Sequence, residues 1–375
     1  MTAAEQAPSD PGGWPQVAAY LRGFDAAGGS RLSTRIHPAD EMYRFELLAP
    51  QRTREAAAIL YFATGRQIFQ AVEEIVGWRF RGWSGVRSLL DFAGGYGRST
   101  RFLVRALAAE KVTVAEIDPG AVRFQQEAFG VRGVVSGTDP ESLRVDGQFD
   151  VVVASSFFSH LPAARFEAWM ARLQAIVAPG GVLIFSVHGI ELLPEAEARP
   201  PSGIVFRPVS ETLRLEGAEY GTSYLTPEFV RGVTERVAEG GARLLAFPFG
   251  LCGFQDLYVL CRPPVPVGPD LRLARAPLGA LLHGAIENGV VTTEGWAVGD
   301  FDERPPDVRL FLGDRVAAVS PGQGPAGARR DWHFTFPVAG ADPDTLVRIE
   351  AQSPRGVSRI LVAETLRPYL PAPTP

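Results

Sequence analysis

The stretch Ser88–Thr100, SLLDFAGGYGRST, constrains this chain more than any other. An apolar run ending at Asp91 enters a turn of small residues, Ala93-Gly94-Gly95-Tyr96-Gly97, and leaves through Arg98-Ser99-Thr100 into helical periodicity. Glycines let a backbone approach a ligand closely, and the start of a helix offers N–H groups without intrahelical partners. A strand, a glycine turn and a helix start in this order predict a nucleotide-sized site.

The residues around the turn alternate between strand and helix patterns. Val86–Phe92 reads as a strand, Arg98–Ala109 as a helix and Val112–Ile117 as a second strand, which makes a βαβ unit. Ala121–Phe129 reads as a helix stopped by Gly130, and Val131–Val135 as a third strand. Phe149–Ser155, FDVVVAS, is the nearly unbroken β-branched run of a strand buried on both faces. The helix after it carries Phe166, Trp169, Met170, Leu173, Ile176 and Val177 on one face, Pro179-Gly180-Gly181 is expected to end it, and Val182–Val187 is the fifth strand. Such alternation predicts a doubly wound α/β sheet, whose ligands bind beyond the carboxyl ends of the strands.

The turn itself separates two ligand classes. A dinucleotide dehydrogenase turn reads Gly-x-Gly-x-x-Gly, and here Thr100 stands three residues after Gly97. The stretch resembles instead the first motif of the class I S-adenosylmethionine-dependent methyltransferases, an acidic residue followed by Gly-x-Gly-x-Gly. Asp91 takes the acidic place, Gly95 and Gly97 the last two glycines, and Ala93 departs from the pattern at the first. The resemblance runs from about Phe80 to Pro263. Glu116 ends the second strand about twenty residues past the turn, where an acid can accept bonds from ribose hydroxyls. FDVVVASSFFSHL and VAPGGVLIFSVHG look like the family's fourth-strand motif and its turn into strand five. Thr226-Pro227-Glu228 opens a helix before Leu244–Phe249 and Phe254–Cys261, which look like its closing antiparallel pair.

The resemblance implies a Rossmann-like doubly wound seven-stranded sheet with S-adenosylmethionine as cofactor, held by Asp91, Ala93, Gly95, Gly97, Glu116, Ile117, Asp139 and Ser155. Asp139 would contact the adenine amino group, although a loop aspartate equally makes an Asx turn. His188, just past strand five, and His160 are the candidates for a catalytic base, with a packing role the other reading of His160. Tyr220 and Tyr224 flank a Gly-Thr-Ser turn able to reach over the site. A hydroxyl of a glycan or small metabolite is the expected acceptor. The rivals are an S-adenosylmethionine-binding scaffold without catalysis, to which Ala93 gives some support, and a dehydrogenase.

Outside the central region the expectations rest on composition and periodicity. Residues 1–14, rich in Ala, Pro, Gly and acids, are expected to be loose, and 15–80 to form a helical segment packed on the catalytic domain of 81–263. A proline-stiffened linker, 264–271, leads to an all-β sandwich over 272–368 and a tail at 369–375. Seven β-rich runs make up the sandwich: Leu282–Ile286, Val290–Val298, Val308–Leu312, Arg315–Val319, Trp332–Val338, Leu346–Ala351 and Ile360–Glu364, with Trp296 as the expected core anchor. The sandwich is either a surface for substrate, glycan or protein contact or a structural cap. The net charge of -5 argues against a nucleic-acid partner, and Lys111 as the only lysine marks a compositional habit rather than a phosphate site. Cys252 and Cys261 are expected to be reduced thiols without metal-ligand spacing. With no long apolar span or secretory pattern, the expectation is a cytoplasmic protein without membrane insertion.

Overall fold

The structure is a computed structural model that describes residues 10–25, 32–50, 52–194, 197, 199–209, 215–238, 240–265, 270–300, 302–338 and 340–366. The chain divides into two compact units, one of residues 68–273 and one that joins residues 1–67 to 274–375.

The 68–273 unit is built on a nine-stranded sheet. Its parallel part runs in the order β3 (Arg132–Val135), β2 (Val112–Glu116), β1 (Leu89–Phe92), β4 (Phe149–Ala154), β5 (Val177–Gly189). Every residue of β1, β2 and β4 is buried, as a sheet covered on both faces requires. Beyond β5 the sheet continues with β9 (Gln255–Cys261) antiparallel to β5 and β8 (Arg243–Leu251) antiparallel to β9. The seven expected strands are therefore present. Two more, β6 (Ile204–Arg207) and β7 (Thr222–Leu225), form a hairpin that pairs through Tyr224 and Leu225 with His188 and Gly189 at the end of β5.

Helices connect these strands where the apolar spacing places them. They are α4 (Thr100–Ala106), α5 (Pro119–Phe129), α6 (Ala163–Ala175) and α7 (Pro227–Val237). Asp118 caps α5 through Gly120 N–H at 2.8 Å, and left-handed Gly130 ends it. Phe166, Trp169, Met170 and Leu173 of α6 join Phe92, Phe157, Phe158 and Phe185 in one core. Pro179-Gly180-Gly181 does not end α6, which stops at Ala175. The three residues lie within β5, whose register on β4 jumps from Phe149↔Val177 to Val151↔Val182. Gly180 at φ 75° allows that excursion, and pairing resumes after it.

In the other unit all seven expected strands are present, as two antiparallel sheets. One is β10 (Leu278–Glu287), β11 (Val290–Val298) and β14 (Arg330–Pro337). The second runs β13 (Arg315–Ser320), β12 (Asp307–Leu312), β15 (Leu346–Gln352), β16 (Ser358–Thr365). Their inner faces share a core of Val291, Trp332, Phe334, Phe336, Leu310, Val347 and Ile349. The anchor is Trp332, 2% exposed, and not Trp296, which is half-buried. Strand alternation turns Val291, Thr293, Gly295 and Ala297 of β11 inward and leaves Trp296 outside, under the Arg329 guanidinium.

This unit also holds α1 (Pro15–Asp25), α2 (Glu41–Leu47) and the first turns of α3 (Arg54–Phe80), so residues 15–67 group with the sandwich rather than with the 68–273 unit. The physical reason lies on β15, buried from Leu346 to Ala351 on both faces. Its outward Arg348 pairs with Glu350 and packs between the rings of Phe311 and Tyr20, the latter supplied by α1. Arg22 of α1 also pairs with Asp314 at 3.1 Å. Residues 11–13, expected to be loose, form a helical turn capped by Asp10, which also accepts the Thr34 hydroxyl. The remainder of the expected loose segment, residues 1–9, lies outside the described residues, as do 266–269 of the expected linker and the whole tail, 369–375. Among the described residues no helix is long and apolar enough to cross a membrane, and no group of His, Cys, Asp or Glu could hold a metal ion.

Candidate functional site

The glycine turn leaves β1 at the position where the sheet order reverses, between β2 on one side and β4 on the other. Asp91 is fully buried beneath it and accepts hydrogen bonds from the hydroxyls of Thr100, at 2.7 Å, and Ser99, at 3.2 Å. Its second oxygen, Oδ1, has no protein partner. Burial pushes the Asp91 carboxyl up to about 6, against the two hydroxyl bonds. A side chain at Gly94 would begin 3.0 Å from this carboxylate, so the turn can pack on Asp91 only with glycine there.

Ala93, Gly95 and Gly97 all lie in the left-handed region, at φ 56°, 59° and 80°. Ala93 thus takes the glycine-like conformation despite its methyl group, held by its N–H on the Ala115 carbonyl at 2.8 Å. The departure from the motif changes the strain of the turn and not its course. A Cβ at Gly97 would meet Phe129 Cε2 at 2.4 Å, whereas a Cβ at Gly95 would meet open space. The turn is therefore closed behind Gly97 and open at Gly95.

Glu116, at the end of β2, is tied directly to the turn. Its Oε2 accepts Gly95 N–H at 2.9 Å and its Oε1 accepts Ile117 N–H at 2.8 Å. Burial raises its pKa and these backbone bonds oppose the rise. The carboxylate keeps acceptor capacity for a further donor. Gln125 of α5 closes the other side by donating to the Gly95 carbonyl at 2.8 Å, and Tyr96 donates to Asp118 at 2.6 Å. Neither residue was legible as part of the site, because each reads as an ordinary member of its local pattern. Asp139 is exposed and caps a short turn through Glu141 N–H at 3.0 Å, the Asx arrangement. Ser155 follows β4 and lines a small apolar cavity with Val72, Ile184, Leu251 and Leu257.

A second group of polar residues gathers at the carboxyl ends of β4 and β5. Ser156, in the left-handed region at φ 61°, donates its N–H to Ser186 Oγ at 2.8 Å. Ser186 donates to Gln255 Oε1 at 2.6 Å, and the Gln255 amide nitrogen reaches Ser156 Oγ at 2.7 Å and His188 Nε2 at 3.1 Å. Rings surround His188: Phe254 at 5.4 Å, Tyr224 at 5.6 Å and His160 at 5.9 Å. His160 places its Nδ1 2.8 Å from the Gly221 carbonyl and stacks on Tyr220 at 4.7 Å. The two expected histidines therefore face each other, and Tyr220 and Tyr224 flank them at and beside a strand rather than on a turn. Burial and the neighbouring His160 pull His188 down to about 4, so its ring is neutral near pH 7. Phe254 and Gln255 were missed in the sequence, since only the pairing of β9 with β5 brings them to His188, and Ser156 and Ser186 were missed because a serine in or after a strand carries no signal of its own.

Residues 90–183 match the family model described as a methyltransferase domain. Among curated proteins none matches the sequence at a significant level. Solved structures similar to the chain include the glycopeptide N-methyltransferase MtfA with S-adenosylhomocysteine, 20% identical over 47% of this chain and 81% of that one, TM-score 0.35. An O-methyltransferase family protein from Burkholderia thailandensis is 18% identical over 60% and 63% of the two chains, TM-score 0.38. The DhpI-SAM-HEP complex is 23% identical over 59% and 98%, TM-score 0.38. At such identities and scores these likenesses assign no acceptor to this chain.

Proposed function

We propose that this chain, residues 90–183 of which match a methyltransferase domain, is a class I methyltransferase that transfers the methyl group of S-adenosylmethionine to a hydroxyl of a glycan or small metabolite. The observation that carries the reading is the junction of Glu116 with the left-handed turn through Gly95 N–H, at the point where the sheet order reverses. The residues fit the cofactor: the turn is open at Gly95, and Asp91 Oδ1 is a buried acceptor without a protein partner. Glu116 would hold the ribose hydroxyls on its remaining lone pairs, with the Ala93–Gly97 backbone approaching the rest of the ligand. When bound, S-adenosylmethionine supplies a methyl group on a positively charged sulfur, which leaves with the bonding pair as S-adenosylhomocysteine.

The chain's own residues then have to align the acceptor, exclude water and receive a proton. Tyr220, Tyr224 and Phe254 supply ring surfaces on which a sugar or aromatic face can lie. The facing rings of His160 and His188 are the candidates to receive the proton. Isothermal calorimetry tests the cofactor half: S-adenosylmethionine should bind the full chain, and Glu116→Gln should weaken it by at least tenfold, since hydrogen bonds from the ribose hydroxyls to a charged acceptor contribute about 1.5–3 kcal/mol. An unchanged constant would remove Glu116 from the site. A methyl-transfer screen with labelled S-adenosylmethionine against glycan and metabolite extracts tests the rest. Binding without formation of S-adenosylhomocysteine over any extract would favour a scaffold, and preferential binding of a nicotinamide cofactor would favour a dehydrogenase.

A further inference from the structure

The β6–β7 hairpin pairs with β5 at two positions, His188 with Tyr224 and Gly189 with Leu225. A two-stranded hairpin is marginal by itself, so two such pairs leave it in need of a further anchor. The anchor is the turn Phe158–His160 and the residue that follows it. Gly221 N–H donates to the His160 carbonyl at 2.8 Å, and the His160 ring returns the contact, with its Nδ1 2.8 Å from the Gly221 carbonyl. A carbonyl only accepts, so Nδ1 carries the hydrogen of this bond. Two residues further on, the Ser223 hydroxyl donates to the Leu161 carbonyl at 2.5 Å. Each segment thus lends a side chain to a buried backbone oxygen of the other, a group that is costly to leave unpaired. Gly221 suits the contact because a Cβ there would lie 2.1 Å from the Arg207 carbonyl across the hairpin. With the chain drawn this close, Tyr220 stacks on His160 at 4.7 Å, and Leu225 joins Leu161 and Phe158 in the core.

We infer that His160 is a positioning residue: with Ser223 it latches the β6–β7 hairpin to the carboxyl edge of the sheet, and the hairpin selects the methyl acceptor through Tyr220 and Tyr224. The selecting role rests on the methyl-transfer reading, and the latch rests on the hydrogen bonds alone. β7 extends the sheet beside the end of β5, on the edge where doubly wound sheets bind their ligands. Tyr224 of the hairpin and the half-exposed Phe254 of the β8–β9 turn both pack on His188, at 5.6 and 5.4 Å. That edge is therefore aromatic, and Tyr220 and Tyr224 are held there by the hairpin. In the sheet, β4 and β5 stand between β7 and β1, which carries Asp91 and the glycine turn. Loss of the latch should therefore alter the handling of the acceptor and leave cofactor binding intact. The latch needs a donor at Nδ1 and no change of protonation. Asparagine offers an N–H at the same distance from the backbone, whereas phenylalanine keeps a ring against Tyr220 and lacks the donor.

Hydrogen exchange read by mass spectrometry on the full chain tests the latch. In His160→Phe and in Ser223→Ala, peptides covering 203–208 and 219–226 should exchange about tenfold faster or more, while those of β1 and β4 keep their rates. His160→Asn should restore slow exchange. Calorimetry of the same samples should give dissociation constants for S-adenosylmethionine within about twofold of the unsubstituted chain, which also shows that the variants fold. Selection is tested by methyl transfer to the component, purified from the extracts, that the unsubstituted chain labels most. His160→Phe should lose about tenfold in kcat/KM and His160→Asn less than about threefold, and Tyr220→Ala should raise KM about fivefold with little change in kcat. Slow hairpin exchange in both His160→Phe and Ser223→Ala would overturn the latch. Lost turnover in His160→Asn with the hairpin still protected would overturn the positioning role, because the ring itself would then be acting on the acceptor. An unchanged KM in Tyr220→Ala would overturn selection by the hairpin. A chain that binds the cofactor and labels nothing loses the methyl-transfer reading and the selecting role with it, whereas the latch is read from exchange alone.

Discussion

Asp91→Asn separates what the glycine turn needs for folding from what it needs for a ligand. The carboxyl has an ordinary pKa of 3.8 and is pushed up to about 6 by complete burial. Because the folded pKa lies above the unfolded one, the folded state binds the extra proton. The stabilisation from that proton is full below pH 3.8 and is lost as pH rises through about 6. The difference in pKa corresponds to about 3 kcal/mol. Asparagine keeps an oxygen for the Thr100 and Ser99 hydroxyls but never carries charge. Whatever its amide costs against the position of the unpartnered oxygen is the same at every pH. The stability of Asp91→Asn relative to the unsubstituted chain should therefore rise by about 2.5 kcal/mol between pH 4 and pH 8, with most of the change between pH 4 and 6. Urea unfolding followed by circular dichroism at five pH values measures this difference, and groups common to both proteins cancel. A difference that stays flat with pH, or that falls, would refute the burial argument. The same variant should bind S-adenosylmethionine more weakly if the unpartnered Oδ1 accepts from the ligand, because the amide removes the charge there.

Other substitutions probe the turn and the sandwich. Ala93→Gly removes a methyl group from a left-handed residue and should stabilise the chain by about 0.5–1 kcal/mol after the entropy of the unfolded glycine is subtracted, raising the melting temperature by about 2–4 °C; a lower melting temperature would show that the turn is not strained there. Gly97→Ala should do the opposite and more strongly, since the new Cβ would lie 2.4 Å from Phe129, and loss of both stability and cofactor binding in calorimetry is the expected result. In the sandwich, Trp332→Ala should cost about 3–5 kcal/mol in chemical denaturation and Trp296→Ala about 1 kcal/mol or less, because only the first ring fills the core. Equal costs would mean that Trp296 also faces the core.

The order of strands and helices in the 68–273 unit was legible because parallel strands buried on both faces are written as continuous runs, such as FDVVVA, and because Asp118, Gly130 and Thr226 mark helix ends with local chemistry. The acid at the end of β2 and the glycines after β1 could be read for the same reason, as fixed offsets along the chain. Pro179-Gly180-Gly181 misled because the turn chemistry that ends a helix also permits a bulge within a strand, and only the register on β4 separates the two. Trp296 misled because tryptophan suits either face of a strand, and which face is inner depends on the second sheet.

The glycine turn, the seven principal strands of the α/β sheet and the seven of the sandwich were determined by the sequence alone, since each depends on neighbours within a few residues. Tertiary structure decided what surrounds the histidines. Gln255 lies far along the chain from Ser156, Ser186 and His188 and meets them only because β9 runs antiparallel beside β5, a contact no local spacing can encode. It also decided that the N-terminal helices group with the C-terminal sandwich. The requirement that drew them there, cover for the outer face of β15, arises about three hundred residues further along the chain.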